Sequence, residues 1–337
     1  MSSLRHNLAL VTASTSPDTP VPPPHLTTPQ GDFAHDLIAA LSHAPHRISP
    51  KYFYDAPGSQ LFDRICTLPE YYPTITELGI LQRHAAEMTA LMGPSAELVE
   101  FGAGSLQKVR LLLDAMDSPA RYVPIDISGD HLADAARTLA LDYPLLQVQP
   151  LVADYTAALT LPAKLHSAGQ RIGFFPGSTI GNFTPDEALR FLRMAADVLE
   201  GGALLLGADL IKDPATLHAA YNDAQGVTAA FNLNLLARAN RELGADFDLT
   251  QFAHSAFYNP PHQRIEMHLM ARQHQIVRVC GRSFSLAEGF SLHTENSHKF
   301  TLDGLQALAV EAGFTPGPVW TDPARLFSVH WLQAPTR

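Results

Sequence analysis

Acidic residues end three successive apolar segments, and a glycine turn follows the first of them. Glu100 lies in "VEFGAGS", two residues before Gly102, while Asp126 ends "RYVPID" and Asp154-Tyr155 ends "LVADY". A glycine turn that opens a helix lets a ligand approach free backbone N–H groups, and an acid about twenty residues further on can accept both hydroxyls of a ribose. An acid beside an aromatic ring can bind the amine and the face of an adenine, and Glu100 can meet a cationic amino-acid group. This order predicts a nucleoside cofactor that carries a cation.

Other interpretations of these residues are open at this point. The turn has Gly102 and Gly104 but lacks the third glycine of a dinucleotide fingerprint, which disfavours an NAD-dependent enzyme. No G-x-x-x-x-G-K-[ST] sequence is present to form a P-loop. Taken alone, either Asp126 or Asp154 is better explained as a helix cap. Their order behind the glycine turn is what favours a cofactor site.

A second polar turn, "PGSTIGNF", follows the apolar segment "RIGFF". Gly177, Thr179 and Asn182 lie in it, at the carboxyl end of a predicted strand, where ligands of open α/β sheets bind. The Asn182 amide can hold an amine with its carbonyl and a carboxylate with its N–H groups. The alternative is that Asn182 forms the turn or caps the helix that begins near "TPDEALRFL".

The composition disfavours several other classes of protein. The 337 residues carry a net charge of −10, and the 23 Lys and Arg form no basic stripe, so nucleic acid is not an expected partner. The 16 histidines and two cysteines form no metal-ligand motif, so no metal site is expected. No segment approaches the roughly 20 apolar residues of a membrane helix, and the start of the chain lacks a signal-peptide pattern. We therefore expect a cytoplasmic protein with reduced cysteines and no membrane partner, and we expect a monomer.

Alternating strands and helices must position the polar residues. From "AELVEF" to "GGALLLGADLI", apolar segments are separated by helical patterns, which predicts parallel βαβ units in a doubly wound, Rossmann-like sheet. After Phe257 the pattern alternates as in antiparallel strands before a helix and a last strand. The expected fold class is α/β, with a second α+β domain that caps the core. The predicted domains are a disordered leader (1–31), a helical part of the cap (32–74), a cofactor-binding core (75–212), an α+β cap (213–320) and a C-terminal strand that returns to the core (321–337).

Several segments together resemble one known family. They are "YFYDAPGSQLFDRICTLPEYYPTITE", "GFFPGSTIGNF", "YNDAQGVTAAFNLNLLARANRELGADFD", "RIEMHLMA" and "HTENSHKF". The likeness is to the L-histidine Nα-methyltransferases of ergothioneine biosynthesis, and it extends from Ile48 to Trp331. The resemblance implies a class I methyltransferase core, S-adenosylmethionine as the methyl donor, and transfer of three methyl groups to the α-amine of L-histidine to give hercynine.

The resemblance also implies roles for individual residues. Its cofactor positions are Gly102, Lys108, Asp126, Asp154 and Tyr155. Its substrate positions are Tyr54, Phe62, Tyr71, Gly177, Thr179, Asn182, Tyr221, Met267, Glu295 and Ser297. In this scheme Glu295 and Ser297 bind the imidazole, while Asn182 and the tyrosines hold the amino-acid end. Tyr54 and Asn182 are the candidate catalytic residues.

The chemistry of methyl transfer is compatible with these roles. A carboxylate can accept from one imidazole N–H while a hydroxyl adapts to the other nitrogen, which distinguishes histidine from an apolar aromatic side chain. Spacing alone favours another role for Glu295, that of a solvated strand residue paired with Lys299, and only the resemblance reverses this. An α-amine is partly neutral near physiological pH, so no strong base is needed, and Tyr54, Tyr71 or a water held by them is expected to relay the proton. The remaining alternatives are methylation of another amino acid or small amine, and a non-catalytic S-adenosylmethionine-binding module.

Overall fold

The computed structural model describes residues 29–104, 106–157, 159–165 and 168–336. Most of the predicted leader, residues 1–28, lies outside the described residues, whereas its last three residues begin the first helix. The α-helices of the described chain are α1 Pro29–Ser42, α2 Ala56–Ile65, α3 Tyr72–Met92, α4 Gln107–Leu113, α5 Gly129–Asp142, α6 Pro185–Val198, α7 Pro214–Tyr221, α8 Val227–Leu243 and α9 Leu302–Glu311. Its strands are β1 Glu97–Phe101, β2 Arg121–Asp126, β3 Gln147–Val148, β4 Leu151–Val152, β5 Arg171–Phe175, β6 Ala203–Asp209, β7 Phe252–Asn259, β8 Arg264–Ala271, β9 Gln275–Val279, β10 Arg282–Leu286, β11 Ser291–His298, β12 Thr315–Thr321 and β13 Phe327–Gln333. Among these helices, none is both long and apolar enough to cross a bilayer.

One large sheet forms the centre of the molecule. Its strand order is β12-β13-β6-β5-β1-β2-β3, and β4 also pairs with β2. Strands β1 to β6 run parallel, and β13 runs antiparallel to β6. The chain proceeds from β1 to β2 and β3 on one side and then returns to β5 on the other side of β1, so the order reverses between β1 and β5. Ligands of such sheets bind at the carboxyl ends of the strands at this reversal. The predicted doubly wound α/β core is confirmed.

The apolar run of β6 explains how the sheet is covered on both faces. Successive side chains of a strand point to opposite faces, so a strand buried on both sides needs a continuous apolar run. Leu205 packs with residues of α3 and α4, while Leu204 and Leu206 pack with residues of α6 and α9. Helices on both faces leave the carboxyl edge of the sheet as the place where polar residues meet.

A second hydrophobic cluster, which we call the cap, joins two segments that are distant in the sequence. It consists of buried residues from 33–68 and from 217–292, and Phe53 of the first segment packs on Phe231 of the second with ring centroids 4.6 Å apart. The late segment includes an antiparallel sheet in the order β11-β8-β7 and the hairpin β9–β10. The two parts of the cap that the sequence separates by some 150 residues therefore share one core.

The last helix and strands of the described chain pack on the core, although the predicted cap extends to residue 320. Strand β12 lies in the central sheet, antiparallel to β13, and α9 packs against α6 on the core. The segment after β11 thus belongs by its packing to the central sheet, because the edge strand β12 needs β13 as its hydrogen-bonding partner. The other domain limits stay predictions.

Candidate active site

A cavity of about 890 Å³ opens at the carboxyl edge of the sheet, between the core and the cap. Every cofactor residue predicted from the sequence lines it: Glu100, Gly102, Gly104, Lys108, Asp126, Asp154 and Tyr155. A smaller pocket of about 50 Å³, the inner pocket, shares part of its wall and is closed by Asp209, Tyr221, Glu295, Ser297 and Lys299. The predicted substrate residues that line both cavities are Tyr54, Phe62, Tyr71, Gly177, Thr179 and Asn182. The structure therefore brings the two predicted groups of residues into adjoining spaces.

The glycine turn after β1 approaches the cavity closely. Gly102 has a φ of 76°, a left-handed conformation that favours glycine, and a Cβ atom there would lie 3.3 Å from the Tyr155 hydroxyl. The backbone N–H groups of Gly102 and Ala103 both donate to the Ile125 carbonyl. These two N–H groups are therefore not free for a ligand, since the turn uses them to hold itself against β2. At Gly102 the turn offers a ligand space beside the backbone.

Glu100 is a buried carboxyl group and Asp126 a half-buried one, and each has few partners. Burial raises the pKa of Glu100 to about 8, against the effect of the Tyr122 hydroxyl, which donates to Oε2. Burial also raises the pKa of Asp126, which accepts the Ser128 N–H at 2.8 Å. When a cation or a hydroxyl donor approaches such a group, it stabilises the ionised carboxylate that burial disfavours. Both groups are thus suited to receive a ligand that carries such donors.

Asp154 differs from these two because it is already paired. Its Oδ2 lies 3.1 Å from Lys51 Nζ in the cap, and its Oδ1 accepts the N–H and the hydroxyl of Thr156. Although burial acts to raise the pKa of Asp154, these bonds outweigh it and hold the pKa below its ordinary value. Asp154 therefore stays ionised and ties the first segment of the cap to the rim of the cavity.

Glu77 on α3 holds two residues of the cavity wall in place, and the sequence reasoning missed it. Its side chain is fully buried, lies 2.6 Å from Lys108 Nζ and accepts the Gly177 N–H at 2.9 and 3.0 Å. Burial alone would lower the pKa of Lys108, but Glu77 outweighs it and raises the pKa. Gly207 leaves room for this carboxylate, because a Cβ there would lie 2.1 Å from it. The sequence signal was a single acid among apolar residues in the helix "TITELGIL".

Aromatic rings line the passage from the cavity to the inner pocket. Tyr54 and Phe62 meet edge to face at 5.6 Å, and Phe62 and Tyr71 do so at 6.3 Å. Tyr71 in turn meets Tyr221 at 6.3 Å. Burial raises the pKa of Tyr54 and of Tyr71 well above the ordinary value for tyrosine. These hydroxyl groups are neutral at physiological pH, so they can donate or accept hydrogen bonds but cannot act as phenolate bases.

Asn182 lies in a short 3₁₀ turn, Thr179–Asn182, after β5. The helix that follows is capped by Thr184, whose hydroxyl accepts from the Glu187 N–H while the Glu187 carboxylate accepts from the Thr184 N–H. The alternative that Asn182 caps this helix is therefore wrong. Its amide faces the junction of the two cavities instead.

A β-bulge in β11 turns Glu295 into the inner pocket. His293 pairs with His268 across β8, and Glu295 pairs with Met267, so Thr294 is the extra residue. Without the bulge, strict alternation would put Glu295 on the same face as His293. The Thr294 hydroxyl holds the bulge by contacts of 2.7 Å to Asn232 Oδ1 and 3.0 Å to the Met267 carbonyl. Met267 itself is buried in the cap, lines neither cavity and serves as the cross-strand neighbour of Glu295.

The polar end of the inner pocket contains Glu295 and an ion pair between Lys299 and Asp209. Burial raises the pKa of Glu295 to about 7, and the charge of Lys299 opposes this rise. Lys299 does not pair with Glu295; its Nζ lies 2.7 Å from Asp209 Oδ2 on β6. The spacing-based alternative, a solvated Glu295 paired with Lys299, is therefore wrong. The sequence reasoning missed Asp209 and the role of Lys299, although Ser297 and Lys299 share a strand face by their spacing.

One group of possible metal ligands occurs in the described chain, although none was expected. Ligand atoms of Glu266, His268 and His293 lie within 4.8 Å of one another. Glu266 is already bound by Arg264 at 2.6 Å, and the rings of His268 and His293 stack with centroids 4.5 Å apart. None of the three lines either cavity. The group is a hydrogen-bonded network on the outer face of the cap sheet.

Comparisons with known proteins match most of the chain. Residues 33–334 match the family described as histidine-specific methyltransferases, SAM-dependent. The chain is 45% identical over 300 residues to the histidine N-alpha-methyltransferase of Mycolicibacterium smegmatis, covering 87% of this chain and 92% of that protein. It is 40% identical over 313 residues to the protein of the same name from Mycobacterium tuberculosis, covering 90% and 96%. Ergothioneine biosynthesis protein 1 of Neurospora crassa is 31% identical over 300 residues, which are 82% of this chain and 32% of that protein.

Proposed function

We propose a reaction on the premise that this chain belongs to the family of histidine-specific, S-adenosylmethionine-dependent methyltransferases. The reaction is transfer of three methyl groups from S-adenosylmethionine to the α-amine of L-histidine, which yields hercynine as the first step of ergothioneine biosynthesis. The relatives named for histidine Nα-methylation and for ergothioneine biosynthesis support this substrate and this pathway.

One observation carries the choice of histidine. Glu295 is 9% exposed at the end of an inner pocket that opens beside the larger cavity through a ring of aromatic side chains. A buried acceptor of this kind favours a substrate that brings an N–H and rejects one that leaves it unpaired. An imidazole side chain brings that N–H, whereas the ring of phenylalanine does not.

The residues of the larger cavity are compatible with the methyl donor. When bound, S-adenosylmethionine supplies an electrophilic methyl group on a sulfonium. The roles we propose are Asp126 for the ribose hydroxyls, Asp154 with Tyr155 for the adenine, and Glu100 for the cationic amino-acid end. The space beside Gly102 and the Lys108 side chain, which Glu77 holds from behind, lie in the same cavity.

The protein needs to do little covalent chemistry in this reaction. Its tasks are to hold an uncharged amine in line with the methyl group and to exclude water. An α-amine has a reference pKa of about 7.7 to 8.0, and burial among aromatic rings favours its neutral form, so no strong base is required. We assign Asn182 to hold the amine or the carboxylate, and Tyr54 or Tyr71 to pass the proton on as neutral phenols. The faces of these rings also favour the permanent cation that the third transfer creates.

The proposal includes a monomer that acts in the cytoplasm. Its support is the pair of free thiols, of which Cys280 is exposed, because such thiols persist in a reducing compartment. Light scattering of the purified protein at several concentrations tests the monomer, and a mass that rises with concentration would contradict it.

Mass spectrometry of an incubation with S-adenosylmethionine and single amino acids tests the function. We expect mono-, di- and trimethylated histidine in succession and no product from phenylalanine. Product from another amino acid or a small amine, with none from histidine, would show that the family chemistry acts on a different substrate. Absence of S-adenosylhomocysteine with every amine would instead indicate a non-catalytic binding module.

A further inference from the structure

Lys299 is buried below the inner pocket, and its ammonium group meets three oxygen atoms. Nζ lies 2.7 Å from Asp209 Oδ2, 2.8 Å from Ser297 Oγ and 3.2 Å from the Tyr221 hydroxyl. An ammonium has three N–H donors and no acceptor, so each of these oxygens accepts one bond. Asp209 outweighs the cost of burial and keeps Lys299 charged, because its carboxylate raises the lysine pKa.

These bonds determine which way the neighbouring hydroxyls point. The Tyr221 hydroxyl accepts from Lys299, and it donates its own hydrogen to Ser297 Oγ at 2.7 Å. Ser297 Oγ therefore accepts two bonds, one from Lys299 and one from Tyr221, which occupy both of its lone pairs. The hydrogen of Ser297 is left for a group inside the pocket.

We propose that Lys299 is a positioning residue that makes Ser297 a hydrogen-bond donor toward the substrate, so that the inner pocket selects histidine with a neutral imidazole. The inference rests on the proposed function and deepens it. Glu295 as a carboxylate can only accept, and Ser297 held in this way can only donate. A neutral imidazole has one N–H and one nitrogen lone pair and satisfies both groups, whereas an imidazolium has two N–H groups and leaves Ser297 facing a second donor.

The charges around Ser297 act in the same direction. Lys299 and Tyr221 bond to Ser297 directly, and Asp209 on β6 bonds to Lys299. Glu295 lines the same pocket. Asp209 is also bound by Lys212 Nζ at 2.5 Å and by the Tyr72 hydroxyl at 2.7 Å. Two lysines therefore share this carboxylate, and an imidazolium would add a third positive charge beside a single remaining carboxylate, Glu295.

Calorimetry of histidine binding at pH 7.5 and pH 5.5, with S-adenosylhomocysteine present, tests the inference. An imidazole with a pKa of about 6.5 loses roughly nine-tenths of its neutral form over this range. Glu295, whose pKa burial raises to about 7, also gains a proton over it. The wild-type Kd should therefore rise at least about tenfold, and the part of this rise that the variants remove is the part that depends on Lys299 and Ser297. Lys299→Met should weaken binding at pH 7.5 because Ser297 is then free to turn and accept. For the same reason it should reduce the pH ratio, by which we mean the Kd at pH 5.5 divided by the Kd at pH 7.5. In a Ser297→Ala background the same substitution should lose most of its effect.

A lysine that merely supports the fold would give a different result. Its loss would raise the Kd by the same factor at both pH values and to the same extent with or without Ser297, and this outcome would overturn the inference. Binding of S-adenosylhomocysteine reports whether each variant is folded.

A second variant covers the case in which Lys299→Met does not fold. Tyr221→Phe keeps every charged group and frees one lone pair of Ser297, so it should also reduce the pH ratio, and an unchanged ratio would overturn the inference. Absence of histidine binding by the wild type would overturn the proposed function and this inference together. If the protein binds histidine and the pH ratio is the same in the wild type and in both variants, this inference alone would be overturned.

Discussion

Glu77 and Lys108 form an ion pair of 2.6 Å that joins α3 to the helix after the glycine turn. The same carboxylate accepts the Gly177 N–H, so one buried side chain holds the cofactor turn and the second polar turn in a fixed relation. The two turns come from strands on either side of the reversal in strand order, so Glu77 links the proposed methyl-donor side of the site to the proposed methyl-acceptor side.

Glu77→Gln should destabilise the protein and weaken the binding of S-adenosylhomocysteine. The amide can still accept from Gly177 but leaves the half-buried Lys108 ammonium without a countercharge. Breaking a fully buried pair costs about 3–5 kcal/mol, and the partial exposure of Lys108 reduces this cost. Thermal unfolding and calorimetry measure the two effects. Glu311→Gln is the matched control, because it breaks an exposed pair with Arg193 at 3.7 Å and should change neither quantity. Equal effects of the two substitutions would contradict this role for Glu77.

Glu295→Ala should abolish most histidine binding and leave S-adenosylhomocysteine binding intact. A hydrogen bond to a charged group contributes about 1.5–3 kcal/mol, so the Kd for histidine should rise roughly ten- to a hundredfold. Calorimetry with each ligand separates the two sites. The exposed Glu288, in the loop before β11, supplies the control Glu288→Ala, which should bind both ligands as the wild type does. A parallel loss of both ligands would show that Glu295 supports the whole site and does not select the acceptor.

Gly102→Ala and Gly93→Ala separate backbone strain from contact with the cofactor. Both glycines have positive φ, 76° and 72°, so either substitution should cost on the order of 1–3 kcal/mol of stability. Only at Gly102 does the new Cβ meet Tyr155 in the cavity, whereas at Gly93 no atom lies within 4 Å. S-adenosylhomocysteine should therefore bind about tenfold more weakly to Gly102→Ala alone, a change of about 1.4 kcal/mol. If both variants lose the same affinity, the close approach at Gly102 plays no part in binding.

Glu100→Gln should make the ligand-free protein more stable than the wild type as the pH rises. Burial raises the pKa of Glu100 to about 8 from an ordinary value of 4.5, so the folded state holds a proton that the unfolded state has lost. Stability from this group is therefore lost as the pH rises from 4.5 through 8. The glutamine does not titrate, so the difference in melting temperature between variant and wild type should grow from pH 6 to pH 9. A constant difference would show that the carboxylate is not disfavoured in the fold.

Much of the cofactor site could be read from the order of residues along the chain. Glu100 and Asp126 lie at the carboxyl ends of β1 and β2, and Asp154 follows β4. Because the carboxyl ends of parallel strands meet at one edge, order in sequence becomes proximity in space. Glu77 could not be found in this way. It lies in a helix, and its role depends on the packing of that helix against two turns that are 31 and 100 residues away.

The amino-acid sequence by itself determined the alternating strands and helices and the residues at the carboxyl edge. Its resemblance to a family predicts that Glu295 and Ser297 bind the same part of the substrate. Only the tertiary structure decided which face of β11 carries Glu295, because one extra residue at Thr294 reverses the alternation that spacing predicts. It also decided that Lys299 pairs with Asp209, a residue 90 positions earlier, and not with its neighbour on the strand. A strand's periodicity follows from local backbone geometry, whereas a bulge and the partner of a buried charge depend on what packs against the strand.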